Sequence, residues 1–459
     1  MRSSKHSAVS MTGSERRAAA GLAGIFALRM LGLFLVLPVF ALHADGLAGS
    51  TPLLVGVAIG AYGLTQALLQ IPFGMLSDRI GRKPVIFGGL LLFALGSILA
   101  AMADSIELVI LGRIVQGSGA IAAAVMALAA DLTREEVRTR AMAGIGISIG
   151  VAFAVALVAA PSLGSWIGLS GIFWLTAVLA VVGMLILTLV VPTPGHSSIH
   201  RDAEPVLGQI GGVLRNAELL RLDSGVLMLH MLMTSLFLVL PLGLVSAGLA
   251  ASRHWMVYLP VFIASVVLMV PFIIQAERYG RIKPVLLGAV ASLALALVGL
   301  SLLPPELIYV VPLLTVFFTG FNLLEASLPS LISKIAPAGA KGTAMGVFSS
   351  SQFAGAFLGG LIGGWMHQHQ GPGAVYLTCS GMALLWLLIA SGMRRPDRVS
   401  TRVIRIPAVA QQEVAGLQQQ LLDVAGVTEA VVAWDEGVAY LKVDSRLLDS
   451  ARLQSFCAS

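Results

Sequence analysis

The most informative segment of this chain is Gly74-Met75-Leu76-Ser77-Asp78-Arg79-Ile80-Gly81-Arg82-Lys83-Pro84. It carries four charges and two glycines between two apolar runs that are each long enough to cross a bilayer. Charged side chains are costly inside lipid, and these eleven residues are too few to fold by themselves. The stretch therefore predicts a tight turn at a membrane surface, between two membrane-spanning helices.

The composition of the whole chain agrees with a membrane protein. Its 459 residues are 57% hydrophobic and only 11% charged, with a mean hydropathy of +0.91. Soluble globular domains contain about 25% charged residues, so that class is excluded. The phosphate-binding pattern G-x-x-x-x-G-K-S/T is not found, and direct use of ATP is not expected. No catalytic constellation is found either, so we predict neither an enzyme nor a cofactor or metal site.

Apolar runs of about 20 residues, the length that crosses a bilayer as a helix, occur twelve times in the chain. We therefore predict an all-α membrane domain with twelve transmembrane helices. The fifth and sixth runs are separated only by the residues from Ser165 to Ser170. The twelve runs are residues 20–42, 52–75, 84–103, 106–130, 141–164, 171–192, 223–248, 256–276, 284–303, 307–333, 342–366 and 373–393.

The basic residues are distributed unevenly over the predicted loops. Of the 29 Lys and Arg residues, 26 fall on the side of the membrane that carries both termini, and only Arg253 falls on the other side. The remaining two, Arg29 and Arg113, fall inside spans. Because cytoplasmic loops retain positive charge, both termini are predicted to be cytoplasmic, in a multi-pass protein of the cell inner membrane. The basic pI of about 9.6 then reflects topology, and no nucleic-acid partner is expected.

An internal repeat divides the twelve spans into two halves. The segment Asp78-Arg79-Ile80-Gly81-Arg82 recurs 199 residues later as Glu277-Arg278-Tyr279-Gly280-Arg281, and Ala141-Met142 recurs at a similar offset as Ala344-Met345. We predict two six-helix halves in the same orientation, as in a parallel repeat. Residues 207–222 could form a short amphipathic helix on the membrane surface. The predicted units are the halves 1–192 and 223–393 and the cytoplasmic linker 193–222.

The last part of the chain, residues 394–459, has a different composition. It holds 8 basic and 8 acidic residues in 66 positions, which is typical of a small soluble domain. Its hydrophobic patterns predict the order βαββα, which is most of a ferredoxin-like βαββαβ unit, with a hairpin turn at Asp435-Glu436-Gly437. The predicted strands are 402–406, 427–434 and 438–443, and the predicted helices are 411–424 and 447–456.

The signature loop at residues 74–84 resembles the motif G-x-L-x-D-R-x-G-R-K of the major facilitator superfamily. Two further motifs, residues 27–32 in the first span and 113–120 in the fourth, extend the likeness. The chain is similar over essentially its whole length to the YajR branch of that superfamily, which is related to drug:proton antiporters and carries a C-terminal ferredoxin-like module called YAM. The resemblance implies a major facilitator fold and secondary active transport. In the fifth span, residues 160–165 depart from the glycine-proline run usual in antiporters.

The resemblance also implies that the signature loop acts as a conformational switch. Asp78 would face the start of the eleventh span near Gly342 and Thr343, where the positive end of the helix dipole favours an anion. Arg82 would pair with Asp131, and these contacts would hold the halves together in the outward-open state. The alternative is a solvated loop whose charges only set topology. The implied switch residues are Gly74, Asp78, Arg79, Gly81, Arg82 and Asp131.

Glu325 is the only acidic residue that the sequence places well inside a span. A carboxylate among apolar residues is costly unless a proton or a cation neutralises it. This makes Glu325 the first candidate for proton coupling. The alternative is a packing residue that is bonded to Asn322 or Ser327 and stays permanently neutral.

Five further polar residues in the spans are candidates for lining a central cavity, namely Arg29, Arg113, Gln116, His230 and Asn322. Arg113 must face the interior or water, with Gln116 on the same helix face; its alternative is a structural arginine bonded to neighbouring carbonyl groups. His230 could titrate near neutral pH or be a satisfied core residue. Arg29 could face the cavity, pair across it with Glu325, or bind a substrate anion.

These features favour a secondary active transporter that works by alternating access, most simply as a monomer in the lipid bilayer. Proton-coupled efflux of small lipophilic or amphiphilic molecules is the leading hypothesis, with the proton as coupling ion and no other cofactor. One alternative is a membrane sensor or regulator that uses the C-terminal domain. Another is a uniporter or importer of a metabolite.

Overall fold

A computed structural model describes residues 10–193, 206–394, 400–407, 413–434, 436–444 and 446–456. Part of the predicted linker (194–205), the start of the predicted C-terminal domain (395–399) and Asp435 of the predicted hairpin turn lie outside the described residues. The described chain is dominated by helices. The small sheet is confined to the C-terminal domain.

The membrane-embedded part consists of six helices before and six helices after a short connecting helix. In the first half they are α1 (Gly13–His43), α2 (Pro52–Ile80), α3 (Arg82–Ala101), α4 (Ile106–Ser118), α5 (Ala122–Asp131) and α6 (Glu135–Leu189). The connecting helix is α7 (Leu207–Arg215). The second half contains α8 (Ala217–Ser246), α9 (Trp255–Arg278), α10 (Ile282–Leu302), α11 (Leu307–Ile335), α12 (Lys341–Gln370) and α13 (Pro372–Ser391).

The 55-residue helix α6 is two membrane crossings joined at Gly168. Gly168 has a φ of 65°, a left-handed conformation that breaks the helix and that glycine adopts without a side-chain penalty. A straight helix of that length would extend about 80 Å, far beyond the roughly 30 Å of a bilayer core. Eleven helical segments of the described chain are long and apolar enough to span a membrane. With α6 counted as two crossings, the prediction of twelve spans is confirmed.

The fourth predicted span differs from the prediction because it is broken. Helix α4 ends at Ser118 and α5 begins at Ala122, and Gly119 between them has non-helical angles.

The single amphipathic helix predicted over residues 207–222 is divided in the structure. Helix α7 ends at Arg215, and Asn216 caps α8 by accepting bonds from the backbone N–H groups of Glu218 and Leu219. Helix α8 therefore begins six residues earlier than the apolar run that predicted it.

Two faces of the membrane domain can be defined by chain direction. We call the face on which α1 begins and α13 ends the terminal face, and the other the distal face. On the distal side of the middle, α2 packs tightly on α12, and glycines remove the side chains that would keep the helices apart. A β-carbon built on Gly56 would lie 2.0 Å from Gly360 O, and one on Gly63 would lie 2.5 Å from Phe353 O. The two halves are thus closed together toward the distal face.

The C-terminal domain forms a three-stranded antiparallel sheet in the order β1-β3-β2, with β1 (Ser400–Arg405), β2 (Val427–Ala433) and β3 (Val438–Val443). Helix α14 (Val414–Leu422) follows β1, and α15 (Ser450–Gln454) follows β3. Strands β1 and β2 are parallel to each other with β3 between them, which is the split βαβ arrangement of ferredoxin-like domains. The predicted βαββα order is confirmed.

Candidate functional site

The signature loop is ordered by its own charges rather than by solvent. Arg82 is almost fully buried and donates hydrogen bonds from Nη1 to Asp78 Oδ1 and, at 2.8 Å, to Ser77 Oγ. Its Nε donates to Asp131 Oδ2 at 3.4 Å. Gly81 has a φ of 98°, the left-handed region that lets the chain turn between α2 and α3. Arg82 therefore ties together the ends of α2, α3 and α5.

The other part of the implied switch, the start of α12, is bound elsewhere. Thr343 Oγ1 donates to Gln209 Oε1 on α7 at 3.0 Å and accepts from Val206 N at 2.9 Å. Among the described residues no hydrogen bond or ion pair joins Asp78 to Gly342 or Thr343. The remaining loop members are Gly74, whose carbonyl accepts from Ser77 Oγ, and Arg79, which is exposed.

Arg29 lies in the interior of the first half. It is 1% exposed, and its Nη2 donates to Gln66 Oε1 at 2.7 Å and to Gly119 O at 2.9 Å. The break between α4 and α5 frees this carbonyl for Arg29. Neither Nε nor Nη1 has a hydrogen-bond partner among the described groups, and the guanidinium lies 5.7 Å from the ring centre of Tyr62. The expected contact with Glu325 is absent, because Arg29 is held by helices of its own half.

Arg113 also lies in a closed network within the first half. It is 1% exposed, and it donates from Nε to Ala58 O and from Nη2 to Ile59 O, both at 3.2 Å. Its Nη1 donates to Gln116 Oε1 at 2.9 Å, and Gln116 Nε2 donates in turn to Ser97 Oγ at 2.7 Å. These are the contacts of a structural arginine bonded to neighbouring carbonyl groups, which was the alternative to a cavity role.

A different cluster of polar groups lies at mid-depth in the second half. His230 Nε2 on α8 is 3.7 Å from Glu325 Oε2 on α11 and 2.8 Å from Gln352 Nε2 on α12. His230 Nδ1 lies 3.2 Å from Val226 O. The Glu325 side chain is 42% exposed, so it faces open space and is not packed against Asn322 or Ser327. We call His230, Glu325 and Gln352 the His-Glu-Gln cluster.

Asn322 supports the helix that carries Glu325. Its Nδ2 donates to Ser265 Oγ on α9 at 2.9 Å, so α9 and α11 are tied together one turn from the acid. Phe321, the next residue toward the distal face, lies beside the His230 ring with centroids 6.1 Å apart. Sequence reasoning identified the acid and the histidine but not Gln352, because nothing in a linear pattern shows that α12 lies against α8.

Asp223 is a second acidic residue inside a span, which the sequence analysis placed at a span end and did not select as a site residue. It lies inside α8 because the helix begins at Ala217, and it is 4% exposed. Neither carboxyl oxygen has a hydrogen-bond partner in the described part of the chain. Burial of an isolated carboxylate is costly, so Asp223 is an interior acid whose side chain no described group compensates. In the sequence, the one signal was an acidic residue at the first position of a predicted span, 223–248.

Among the described residues, no three His, Cys, Asp or Glu side chains come close enough together to hold a metal ion.

Comparison with known proteins agrees with this architecture. The sequence model of the Major Facilitator Superfamily matches residues 22–321 and 224–434. The chain is 46% identical over 445 residues to the inner membrane transport protein YajR of Escherichia coli strain K12, covering 97% of this chain and 98% of that protein. It is 29% identical over 380 residues to the multidrug resistance protein MdtH of Aeromonas salmonicida, covering 80% and 94%.

A solved structure shares the fold at low sequence identity. The nucleoside transporter NupG superposes with a TM-score of 0.66 at 14% identity, covering 82% of this chain and 99% of that one. The family match covers both halves of the membrane domain, and the relatives are transporters rather than enzymes. The chain is therefore a membrane transport protein that belongs to the major facilitator superfamily.

Proposed function

We propose that this transporter couples proton movement to the efflux of small lipophilic or amphiphilic molecules, and that the His-Glu-Gln cluster is its proton-coupling site. The observation that carries the proposal is the position of Glu325, an exposed carboxyl at mid-depth beside an imidazole 3.7 Å away. The similarity to a multidrug resistance protein supports efflux of such substrates. Arg29, Arg113 and Gln116 serve in this proposal as the rigid interior of the first half.

The geometry of the cluster suggests how a proton would change it. In the neutral tautomer with Nδ1–H, His230 donates to Val226 O and its Nε2 accepts from Gln352 Nε2. A second proton on Nε2 removes that acceptor, so the Gln352 amide must rotate or leave, and the new N–H can point to Glu325. A His⁺–carboxylate contact is favourable, whereas a protonated Glu325 would release it. Proton binding would thus alter the contacts between α8, α11 and α12.

The experiment that tests this function is transport in proteoliposomes. Purified protein is reconstituted with a panel of lipophilic cations, zwitterions and neutral amphiphiles inside, and internal pH is followed after a substrate gradient is imposed. Proton-coupled efflux predicts that protons enter the liposomes as substrate leaves. The internal pH should therefore fall, and a protonophore should abolish this change. Substrate efflux with no linked pH change would instead identify a uniporter, and efflux with a rise in internal pH would identify symport, the coupling expected of a proton-driven importer.

For orientation, we place the terminal face in the cytoplasm, since basic residues concentrate there and cytoplasmic loops retain them. The E. coli relative is an inner membrane protein, and the same location is proposed for this chain, as a monomer. Closure at the distal face then corresponds to an inward-facing state. The absence of a bond between Asp78 and the start of α12 fits that state, because in this proposal that contact forms only in the outward-open form. The Arg82–Asp131 pair lies within the first half and is already formed.

We expect Asp78→Asn to shift the conformational equilibrium further toward the inward-open state. The neutral amide loses the attraction of a carboxylate for the N-terminus of α12, worth about 0.3–2 kcal/mol, which is a shift of roughly 2- to 30-fold in populations. Spin-label distances across the terminal face measure it. Asp104→Asn, in the distal loop before α4, is the matched control. An unchanged distance distribution in Asp78→Asn would show that the loop is not a switch.

A regulatory role for the C-terminal domain is the second candidate function, and its contacts favour it. Glu429 Oε1 accepts from Ala338 N at 3.0 Å, and Lys442 Nζ donates to Ile335 O at 3.0 Å. Gly339 O in the same loop accepts from Gln209 Nε2 of α7 at 3.0 Å, and Gln209 also binds Thr343. The domain thus holds the loop between α11 and α12, next to the proposed partner of Asp78.

The double variant Glu429→Ala and Lys442→Ala is expected to release this loop. Two lost hydrogen bonds of about 1 kcal/mol each predict amide exchange at residues 336–340 that is roughly 30-fold faster, together with an altered transport rate. Hydrogen-exchange mass spectrometry and the proteoliposome assay measure the two effects. Glu413→Ala, on the exposed start of α14, is the control. Faster exchange with unchanged transport would exclude regulation through this contact.

A further inference from the structure

A cleft of about 1090 Å³ opens between α9, α10 and α11 near the terminal face. Leu268 and Phe272 of α9 and Val316 of α11 form part of its apolar wall and are 49%, 44% and 44% exposed. The His-Glu-Gln cluster does not line it; α11 presents Thr319 and Leu323 to the cleft and Glu325 to the other side. Apolar side chains exposed on membrane-spanning helices are suited to contact with acyl chains, which are as apolar as leucine.

The mouth of the cleft is positively charged. Arg281 and Lys283 line it, and neither side chain has a hydrogen bond or ion pair among the described residues. Arg281 also precedes α10, whose first turn has no side-chain cap in the described chain. Helix N-termini favour anions through free N–H groups and the helix dipole. Glu277 is exposed and does not line the cleft. Two free cations and an uncapped helix start therefore converge at one end of an apolar groove.

The corresponding loop of the first half shows that the fold does not require unpaired basic side chains at this position. There, Arg82 is neutralised by Asp78 and Asp131, and Lys83 Nζ donates to Val191 O at 2.6 Å. Asp131 lies ten residues before Ala141, and the residue ten before the equivalent Ala344 is Lys334. At that position the second half therefore carries a base where the first half carries an acid, and Glu277 is the one acid of the repeat that it retains. Among the described residues, no acid forms an ion pair with Arg281 or Lys283, so an anion can approach both.

We propose that this cleft is a binding site for an anionic phospholipid. The phosphate would bind Arg281, Lys283 and the start of α10, and an acyl chain would lie along Leu268, Phe272 and Val316. Basic pockets between helices at the membrane surface bind anionic headgroups in this way. A lipid fits better than a soluble anion because the groove continues from the charged mouth into an exposed apolar wall. The site is separate from the proposed coupling site.

The test is lipid binding to the full-length protein by native mass spectrometry, in detergent with phosphatidylglycerol or phosphatidylethanolamine added. The wild type should bind phosphatidylglycerol in preference. The variant Arg281→Gln with Lys283→Gln should weaken that binding by about 30-fold, given the usual contribution of each basic residue near a lipid surface. Arg278→Gln, which removes one positive charge at the end of α9 and outside the cleft, should leave it within about twofold, as the charge lies off the site.

A second variant tests the apolar part without changing charge. A β-carbon on Gly288, which lines the cleft, would have no atom within 4 Å, so Gly288→Leu fits the fold and fills the groove. It should reduce phosphatidylglycerol binding by about tenfold or more, through the loss of roughly two methylenes of acyl contact. Glycerol phosphate, which has the headgroup and no chain, should not compete at equal concentration.

Four outcomes would overturn the proposal. They are equal binding of the two lipids by the wild type, unchanged binding in the Arg281/Lys283 variant, an equal loss in Arg278→Gln, and full competition by glycerol phosphate. The last would identify a site for soluble anions. Circular dichroism and thermal unfolding of each variant show that a loss of binding is not a loss of folding.

Discussion

Glu325→Gln will reduce proton-driven transport to the level of protein-free liposomes. Glutamine keeps the size of the side chain but cannot bind or release a proton. The transporter can then no longer alternate between a form that carries substrate and a form that carries a proton. Counterflow, in which labelled substrate exchanges for unlabelled substrate at equal pH, should continue because it needs no proton step. Folding should be retained, since the side chain is 42% exposed and its one described ionic contact is 3.7 Å long; contacts of this kind contribute about 0–1 kcal/mol.

The matched control for this result is Glu306→Gln. Glu306 precedes the same helix at the distal face and is exposed, with no side-chain cap bond, so its loss should leave proton-driven transport unchanged. His230→Gln should retain transport but change its dependence on pH, because the partner of the carboxyl is lost while the carboxyl remains. Full proton-driven activity in Glu325→Gln would remove the acid from the coupling mechanism, and loss of counterflow as well would indicate a role in substrate binding.

Much of the fold could be predicted from the sequence because bilayer thickness sets a fixed length for each apolar run. The same argument located the division of α6, where Gly168 lies between the two runs predicted there. Hydrophobic patterns were sufficient for the C-terminal domain, since its strands are short apolar segments and β3 is buried on both faces of the sheet. Helix ends were less accurate: the polar first turn of α8 lies outside the apolar run, and the predicted start was Asp223 in place of Ala217.

The candidate site was only partly predictable, because a single sequence shows which residues are polar but not which helices are neighbours. Arg29 and Arg113 were identified as interior charges, yet most of their hydrogen bonds are to backbone carbonyls, which every residue has and no pattern marks. Gln352 lies close to His230 only through the packing of α12 on α8. The charged cleft at Arg281 depends on what is missing nearby, namely an acid at the position of Lys334.

The closure of the two halves depends on a short seam between α2 and α12. The carbonyl oxygens of Gly56 and Gly360 each occupy the space where a β-carbon of the other would lie, at 2.1 Å for a β-carbon on Gly360 and 2.0 Å for one on Gly56. On its other side, α12 packs on α8 in the same way: a β-carbon on Gly359 would lie 2.3 Å from Met231 O. A larger residue in this seam must therefore separate backbones, since no flexible side chain can move aside.

Gly360→Val will open the distal face and abolish most transport. The added methyl groups overpack the seam, at a cost of about 1–3 kcal/mol or more, and this cost falls only on the state in which α2 and α12 are in contact. The closed population should fall by roughly 5- to 150-fold, visible as longer spin-label distances between the distal ends of α2 and α12. Gly381→Val, where a β-carbon meets nothing within 4 Å, should leave both distance and transport unchanged. If Gly360→Val transports at the normal rate, distal closure through this seam is not a step of the cycle, and alternating access in this protein must proceed by another movement.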